Sequence, residues 1–151
     1  MDDTGFGQAP KGGWAALVPE LYVDALTVSR RFWCDVLGFS VAYQRPVEGF
    51  VYLERHDGAQ IMLCQRHSGW EVADMEHPFG RGLVVQVFIT DVDTVQHRMA
   101  DADWPLFEGP REVWRRWGDV MGGKREIMVQ DPDGYLILLA QDIGTRPVDA
   151  P

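Results

Sequence analysis

Cys34 and Cys64 are the only cysteines in 151 residues, and they form neither a CxxC pair nor a disulfide framework. Both read as reduced, partly buried thiols. Long hydrophobic runs are missing too, since no apolar stretch approaches the ~20 residues needed to span a bilayer. The opening residues, with Asp2, Asp3 and several glycines, lack the basic and apolar parts of a signal peptide. A cytoplasmic protein is therefore expected. Basic charge is scarce: 14 Lys and Arg stand against 23 Asp and Glu, a formal net charge of -9. That balance argues against binding a phosphate backbone, so no nucleic-acid partner is expected. An acidic surface suits cationic ligands, or serves solubility alone. Familiar catalytic templates are also absent, with no G-x-S-x-G, H-E-x-x-H or phosphate-cradling glycine loop. Of the four histidines, His56 falls in a turn, His67 and His77 in a polar connection, and His97 on the outer face of a helix. All four read as solvent-exposed. His67 with His77 is the one pair worth testing as a site.

What is present is a repeat. An extended run from Leu17 to Val23 precedes an amphipathic helix expected from Leu26 to Leu37. Leu83 to Ile89 then precedes a helix expected from Asp91 to about Asp101. Each half later returns an Asp-Gly turn feeding an apolar strand: Asp57-Gly58 before Ala59 to Cys64, and Asp133-Gly134 before Tyr135 to Ala140. In the first helix Val28, Phe32 and Val36 recur at four-residue spacing, and Gly38 ends it. Asp91 is the expected N-cap of the second, with Val92, Val95 and Met99 inward. Further strands are expected at Val41 to Gln44, Phe50 to Arg55 and Arg125 to Val129, with another beginning near Leu106 and Phe107. The stretch 108–124 reads as loop. The chain therefore spells βαβββ twice, an α+β fold. Its organisation is a loose tail over 1–14 and one domain over 15–142, followed by a loose tail over 143–151. Within the domain, module one covers about 15–65, a connection 66–81, and module two 82–142.

Two segments carry a resemblance. Leu17 to Val23, followed by Ser29 and the run Phe32-Trp33-Cys34-Asp35-Val36-Leu37-Gly38-Phe39, resembles the opening of the vicinal oxygen chelate superfamily, which includes glyoxalases, dioxygenases and bleomycin resistance proteins. The run Arg125 to Gly134 is similar to that family's strand and D-P-x-G hairpin. Pro19, Phe32-Trp33 and Trp117-Gly118 resemble the bleomycin resistance proteins in particular. The family's enzymes hold a divalent metal with His, Gln or Glu from the first and last strands of each module. Projected here, those positions fall at about Val18, Met62, Val84 and Leu138, with Glu20 or Gln86 nearer under a shifted register. No metal and no other cofactor is expected, because a cation needs lone-pair donors.

What the resemblance then implies is a homodimer with two ligand grooves built from both subunits and Pro19 on an exchanged or interface strand. Strand alternation sets Phe50, Tyr52 and Glu54 on one face, either as a ligand wall or as ordinary core. Trp117, beside Gly118, is the leading ligand contact, because flat side chains bind planar ligands with little loss of entropy. Met62 and Trp70 complete the expected ligand-binding set, although Trp70 is as readily a staple under the connection. Glu54 and Glu48, and more weakly Asp119, would attract a positive tail. The function expected is sequestration, without modification, of a cationic aromatic antibiotic of the bleomycin type. The alternatives are a metal-dependent lyase or dioxygenase of the same superfamily, or a diverged scaffold for another small molecule.

Overall fold

The computed structural model describes residues 5–148. Strand β1 (Glu20–Val23) leads into α1 (Leu26–Arg31), which widens into a π-helical stretch, Phe32–Val36. The expected apolar stripe is altered. Phe32, Trp33 and Val36 are buried, but Val28 is 54% exposed and Ser29 takes the inward place. Val28 precedes the π stretch, within which Phe32 and Val36 are both buried. The Ser29 hydroxyl also has a buried partner, donating to Asp133 Oδ2 at 3.2 Å. Gly38, at φ +80°, closes the helix in the left-handed conformation expected of it.

Strands β2 (Ser40–Arg45), β3 (Phe50–Glu54) and β4 (Gln60–Gln65) complete the first module. The second repeats the order with β5 (Val84–Phe88), α2 (Val92–Asp101), β6 (Glu108–Trp117), β7 (Val120–Gln130) and β8 (Leu136–Pro147). Asp91 caps α2 as expected, its carboxylate accepting the amides of Asp93 and Thr94. The two sheets have equivalent orders, β1-β4-β3-β2 and β5-β8-β7-β6. In each, the first strand runs parallel to the last and the other pairs are antiparallel. The fold is α+β, two βαβββ modules in tandem.

Three stretches depart from the sequence reading. Residues 108–124 form most of a long β6–β7 hairpin, turning at Gly118-Asp119. Residues 143–147 continue β8 because β7 supplies partners as far as the Val120–Pro147 pair. At the other end, the described part of the 1–14 segment is engaged: Gly7 bridges Tyr43, and the Gln44 amide donates to the Phe6 carbonyl at 2.8 Å. Unpaired backbone along a sheet edge is costly to leave without partners, and these polar stretches supply them.

One core serves both modules, joining Leu21, Leu53, Leu63 and Trp33 to Val95, Ile127, Ile137 and Leu139. Polar contacts fix how the halves meet. Trp33 Nε1 donates to Asp131 Oδ2 at 3.2 Å, and the Tyr135 hydroxyl donates to the Tyr22 carbonyl at 2.8 Å. The reciprocal contact is the Thr90 amide donating to Asp57 Oδ2 at 3.2 Å. Each module's Asp-Gly turn thus docks on the strand-to-helix region of the other.

Candidate functional site: an aromatic and acidic face of sheet one

Strand alternation divides sheet one into two faces. Leu21, Val51, Leu53, Ile61 and Leu63 enter the common core, while Tyr22, Phe50, Tyr52 and Cys64 form a separate inner cluster with Tyr43 and Met62 against it. A bulge between Val41 and Tyr43 brings Tyr43 opposite Tyr52. Their rings stack at 5.1 Å and 18°. The Arg45 guanidinium lies 3.8 Å from the centre of the Phe50 ring and pairs with Glu48 at 2.6 Å.

At one end of β1 this face opens into a cleft of about 600 Å3, lined by Tyr22, Trp70, Glu20, Glu71, Asp74 and Glu76, among others. Arg81 is its one basic lining residue, 3.7 Å from Glu76. Tyr22 and Trp70 are parallel within 7°, with ring centres 6.4 Å apart. His67 is placed by two contacts: its Nδ1 accepts the Gly69 amide at 3.2 Å, and its Nε2 lies 2.7 Å from the Tyr22 hydroxyl. In the neutral ring the proton therefore sits on Nε2 and is donated to Tyr22. The phenol keeps its own proton for another acceptor. Desolvation by burial, then the negative neighbours Cys64, Glu20 and Glu71, holds the Tyr22 pKa above the usual phenol range. Arg66 pairs with Glu71 at 2.8 Å, so the cleft combines flat apolar walls with four carboxylates against two guanidinium groups, a balance that suits a planar cation.

The expected site residues are only partly brought together. Phe50 and Tyr52 are on the inner face but are 3% and 2% exposed, respectively. Met62 is on the same face, paired with Glu20. Glu54 accepts the Lys11 amide at 2.9 Å. Trp70 lines the cleft, where Trp117 and Gly118 do not. Trp117 is the last residue of β6 in sheet two, and no Phe50–Trp117 clamp exists within one chain. Gly122 and Gly123 fall in the stretch that reads as loop in the sequence, yet both are buried in β7. A Cβ on Gly122 would overlap the Trp117 ring, and one on Gly123 would come within 2.8 Å of Trp114. The glycines make room for tryptophans. Glu20, Tyr22 and Glu71 were missed as cleft residues, and His67 as the partner of the Tyr22 hydroxyl; alternation along β1 was the available signal for the first two. His67 and His77 do not converge, for His77 Nε2 contacts Asp24 at 2.9 Å and Asp133 at 3.2 Å. The Pro19 carbonyl accepts the Met62 amide of its own chain at 2.9 Å.

The sequence profile of the Glyoxalase/Bleomycin resistance protein/Dioxygenase superfamily matches residues 15–139. The chain belongs to this superfamily. No curated protein matches it. Among solved structures, a virulence protein from Salmonella typhimurium is 24% identical with a TM-score of 0.61, the alignment covering 85% of this chain and 97% of that one. TioX from Micromonospora sp. ML1 is 19% identical with a TM-score of 0.62, over 85% and 100%. A lactoylglutathione lyase from Agrobacterium tumefaciens is 20% identical with a TM-score of 0.55, over 85% and 94%. At these identities the likeness is one of fold.

The superfamily's enzymes take metal ligands from the first and last strands of each module, and strand register decides which residues those are here. Glu20 pairs with Met62 and Gln86 with Leu138. Glu20 and Gln86 therefore replace Val18 and Val84 in the projection, because parallel pairing sets the register. The corrected set offers one carboxylate and one amide beside a thioether and a leucine. It does not fit a hard divalent cation, which takes oxygen or imidazole donors. Asp24, His77 and Asp133 converge elsewhere, with donor atoms within 4.8 Å of one another, but they bond to each other and Asp24 also holds Arg66 at 2.9 Å.

Proposed function

We propose that this member of the superfamily binds a cationic, aromatic small molecule of the bleomycin type and sequesters it without modifying it, in the cytoplasm and without a metal. The observation that carries the reading is the cleft of about 600 Å3, whose walls include parallel Tyr22 and Trp70 rings and whose rim carries Glu20, Glu71, Asp74 and Glu76. Planar rings gain burial and stacking against such walls, while the carboxylates attract positive charge. Among the described residues no helix is long and apolar enough to cross a membrane.

The proposed assembly is a homodimer. Val84, Phe88 and Trp117 are about half exposed or more on sheet two, and a second copy would cover them. In that arrangement Trp117 of the second copy would complete a groove along the inner face of sheet one, above the buried rings of Phe50 and Tyr52. Sedimentation at micromolar concentration is expected to give about twice 17.1 kDa; a stable monomer that still binds ligand would refute the shared groove.

The decisive experiment is titration with metal-free and copper-loaded bleomycin. Stacking on an aromatic side chain is worth ~1 to 3 kcal/mol, so Trp70→Ala should weaken binding roughly tenfold. Loss of affinity on adding salt would accompany Asp74→Gln less than the parent, since exposed charges are largely screened beyond about 10 Å at 0.1 M. Absence of binding at high micromolar bleomycin eliminates this ligand class. Stoichiometric metal in protein purified without chelator would return the lyase or dioxygenase alternative.

A further inference from the structure

The N-terminal segment 5–15 crosses sheet one where the sequence placed ligand contacts. It begins as a strip beside β2: the Gln44 amide donates to the Phe6 carbonyl at 2.8 Å and the Gln8 amide to the Ala42 carbonyl at 3.0 Å. It then turns, with the Gly13 amide donating to the Pro10 carbonyl at 3.0 Å, and two side chains of sheet one hold the turn. Glu54 Oε2 accepts the Lys11 amide at 2.9 Å. The Gln60 carboxamide donates to the Gly13 carbonyl at 2.6 Å and accepts the Ala15 amide at 3.0 Å, while also accepting the Tyr52 hydroxyl.

This path delivers Trp14 edge-on to two stacked tyrosines. Its ring lies 5.9 Å from Tyr43 at 77° and 5.3 Å from Tyr52 at 88°. An aromatic edge carries partial positive charge and an aromatic face partial negative charge, so perpendicular contacts of this kind are favourable. A planar aromatic cation can offer the tyrosines both flat apolar area and positive charge. The indole is also only partly covered, since Trp14 is 61% exposed. Beside it, Gly12 and Gly13 have open space where a side chain would stand, and Gly13 has φ +82°. Once the hydrogen bonds from Glu54 and Gln60 are broken, two adjacent glycines give the backbone room to take another course.

We infer that the Tyr43–Tyr52 pair is a second aromatic subsite, filled at rest by the chain's own Trp14, and that a planar aromatic cation displaces the indole by swinging the 5–15 strap about Gly12-Gly13. Displacement also frees Glu54 from the Lys11 amide to face the incoming positive charge. The inference rests on reading sheet one's inner face as ligand-binding, and it adds a built-in competitor for that face.

Thioflavin T, a planar aromatic cation, tests it in the full chain, with bleomycin titrated in parallel. Trp14→Ala is expected to bind thioflavin T several-fold more tightly than the parent, and Trp14→Phe to fall between them. Adding Glu54→Gln should remove much of the gain. Saturating thioflavin T should also speed trypsin cleavage after Lys11 in the parent. Binding by Trp14→Ala that is absent, equal or weaker overturns the inference, because a competitor's removal must help. If thioflavin T behaves as expected while bleomycin binds no variant, the antibiotic reading falls and the subsite stands. If bleomycin binds while Trp14→Ala changes nothing with either probe, the subsite falls and the antibiotic reading stands.

Discussion

Asp131 and Glu126 are both buried carboxyls, yet they respond oppositely to pH. Burial pushes Asp131 up to about 6, against which neutral donors from Trp33, Tyr135 and Asp133 provide only partial relief. Its folded value exceeds the ordinary 3.8, so between those two pH values the folded chain holds a proton that the unfolded chain has released. The resulting stability is fully present below the ordinary value and is lost as pH rises through about 6. Its ceiling is on the order of 3 kcal/mol. Glu126, by contrast, lies below its ordinary value because Arg115, at 2.6 Å, and Arg111, at 3.1 Å, favour the anion. That contribution is present above the ordinary glutamate value and lost as pH falls through the lower folded one. Urea unfolding from pH 4 to 7.5 should therefore show a flatter low-pH gain in Asp131→Asn than in the parent. Glu126→Gln should lose stability at pH 7 and lose less as the solution is acidified. Unchanged slopes in both variants would contradict these assignments.

At the scale of elements, the β6–β7 hairpin shows where pattern reading stops. Gly123 pairs across the hairpin with Trp114, and Arg146 covers that indole at 4.3 Å. A Cβ on Gly123 would stand 2.7 Å from Ile143 and 2.8 Å from Trp114, so both neighbours must yield. Gly123→Ala is expected to destabilise the chain by about 1 to 3 kcal/mol, as overpacking does. Trp114→Leu should recover part of this in a double-mutant cycle; simple additivity would show that the indole is not the obstacle. From sequence, paired glycines read as loop because glycine alone reports freedom, whereas here the absent side chains are spaces for rings on a neighbouring strand. The two-residue Gly118-Asp119 turn was the overlooked hairpin signal. Elements with local causes were legible: Asp91 at the start of α2, Gly38 after the first helix, and the alternation of Phe50, Val51, Tyr52 and Leu53. The Val28 face failed because Ser29 takes the inward place, held by Asp133 from the other module, a pairing that a four-residue spacing does not encode. The cleft failed for a related reason, since Trp70 and Tyr22 meet only after the connection folds back over β1.

Across the whole molecule, the halves are joined by more than the chain. The shared core and the contacts of Asp131, Asp133 and Asp57 would hold them together if the polypeptide were interrupted. Val72 is fully exposed in the connection, and an opening between Val72 and Ala73 cuts none of the named strands or helices. The two fragments should therefore find each other when expressed together, as a noncovalent pair that elutes as one species. Aspartate-to-alanine changes at 131 and 133 should separate them, while recovery of an intact pair from that double variant would mean that apolar packing alone suffices. Because the cleft takes Trp70 from one fragment and Asp74 and Tyr135 from the other, ligand binding would become a readout of fragment encounter. The interlocked turns thus make the protein a natural starting point for a split sensor, whose signal depends on two separately supplied pieces.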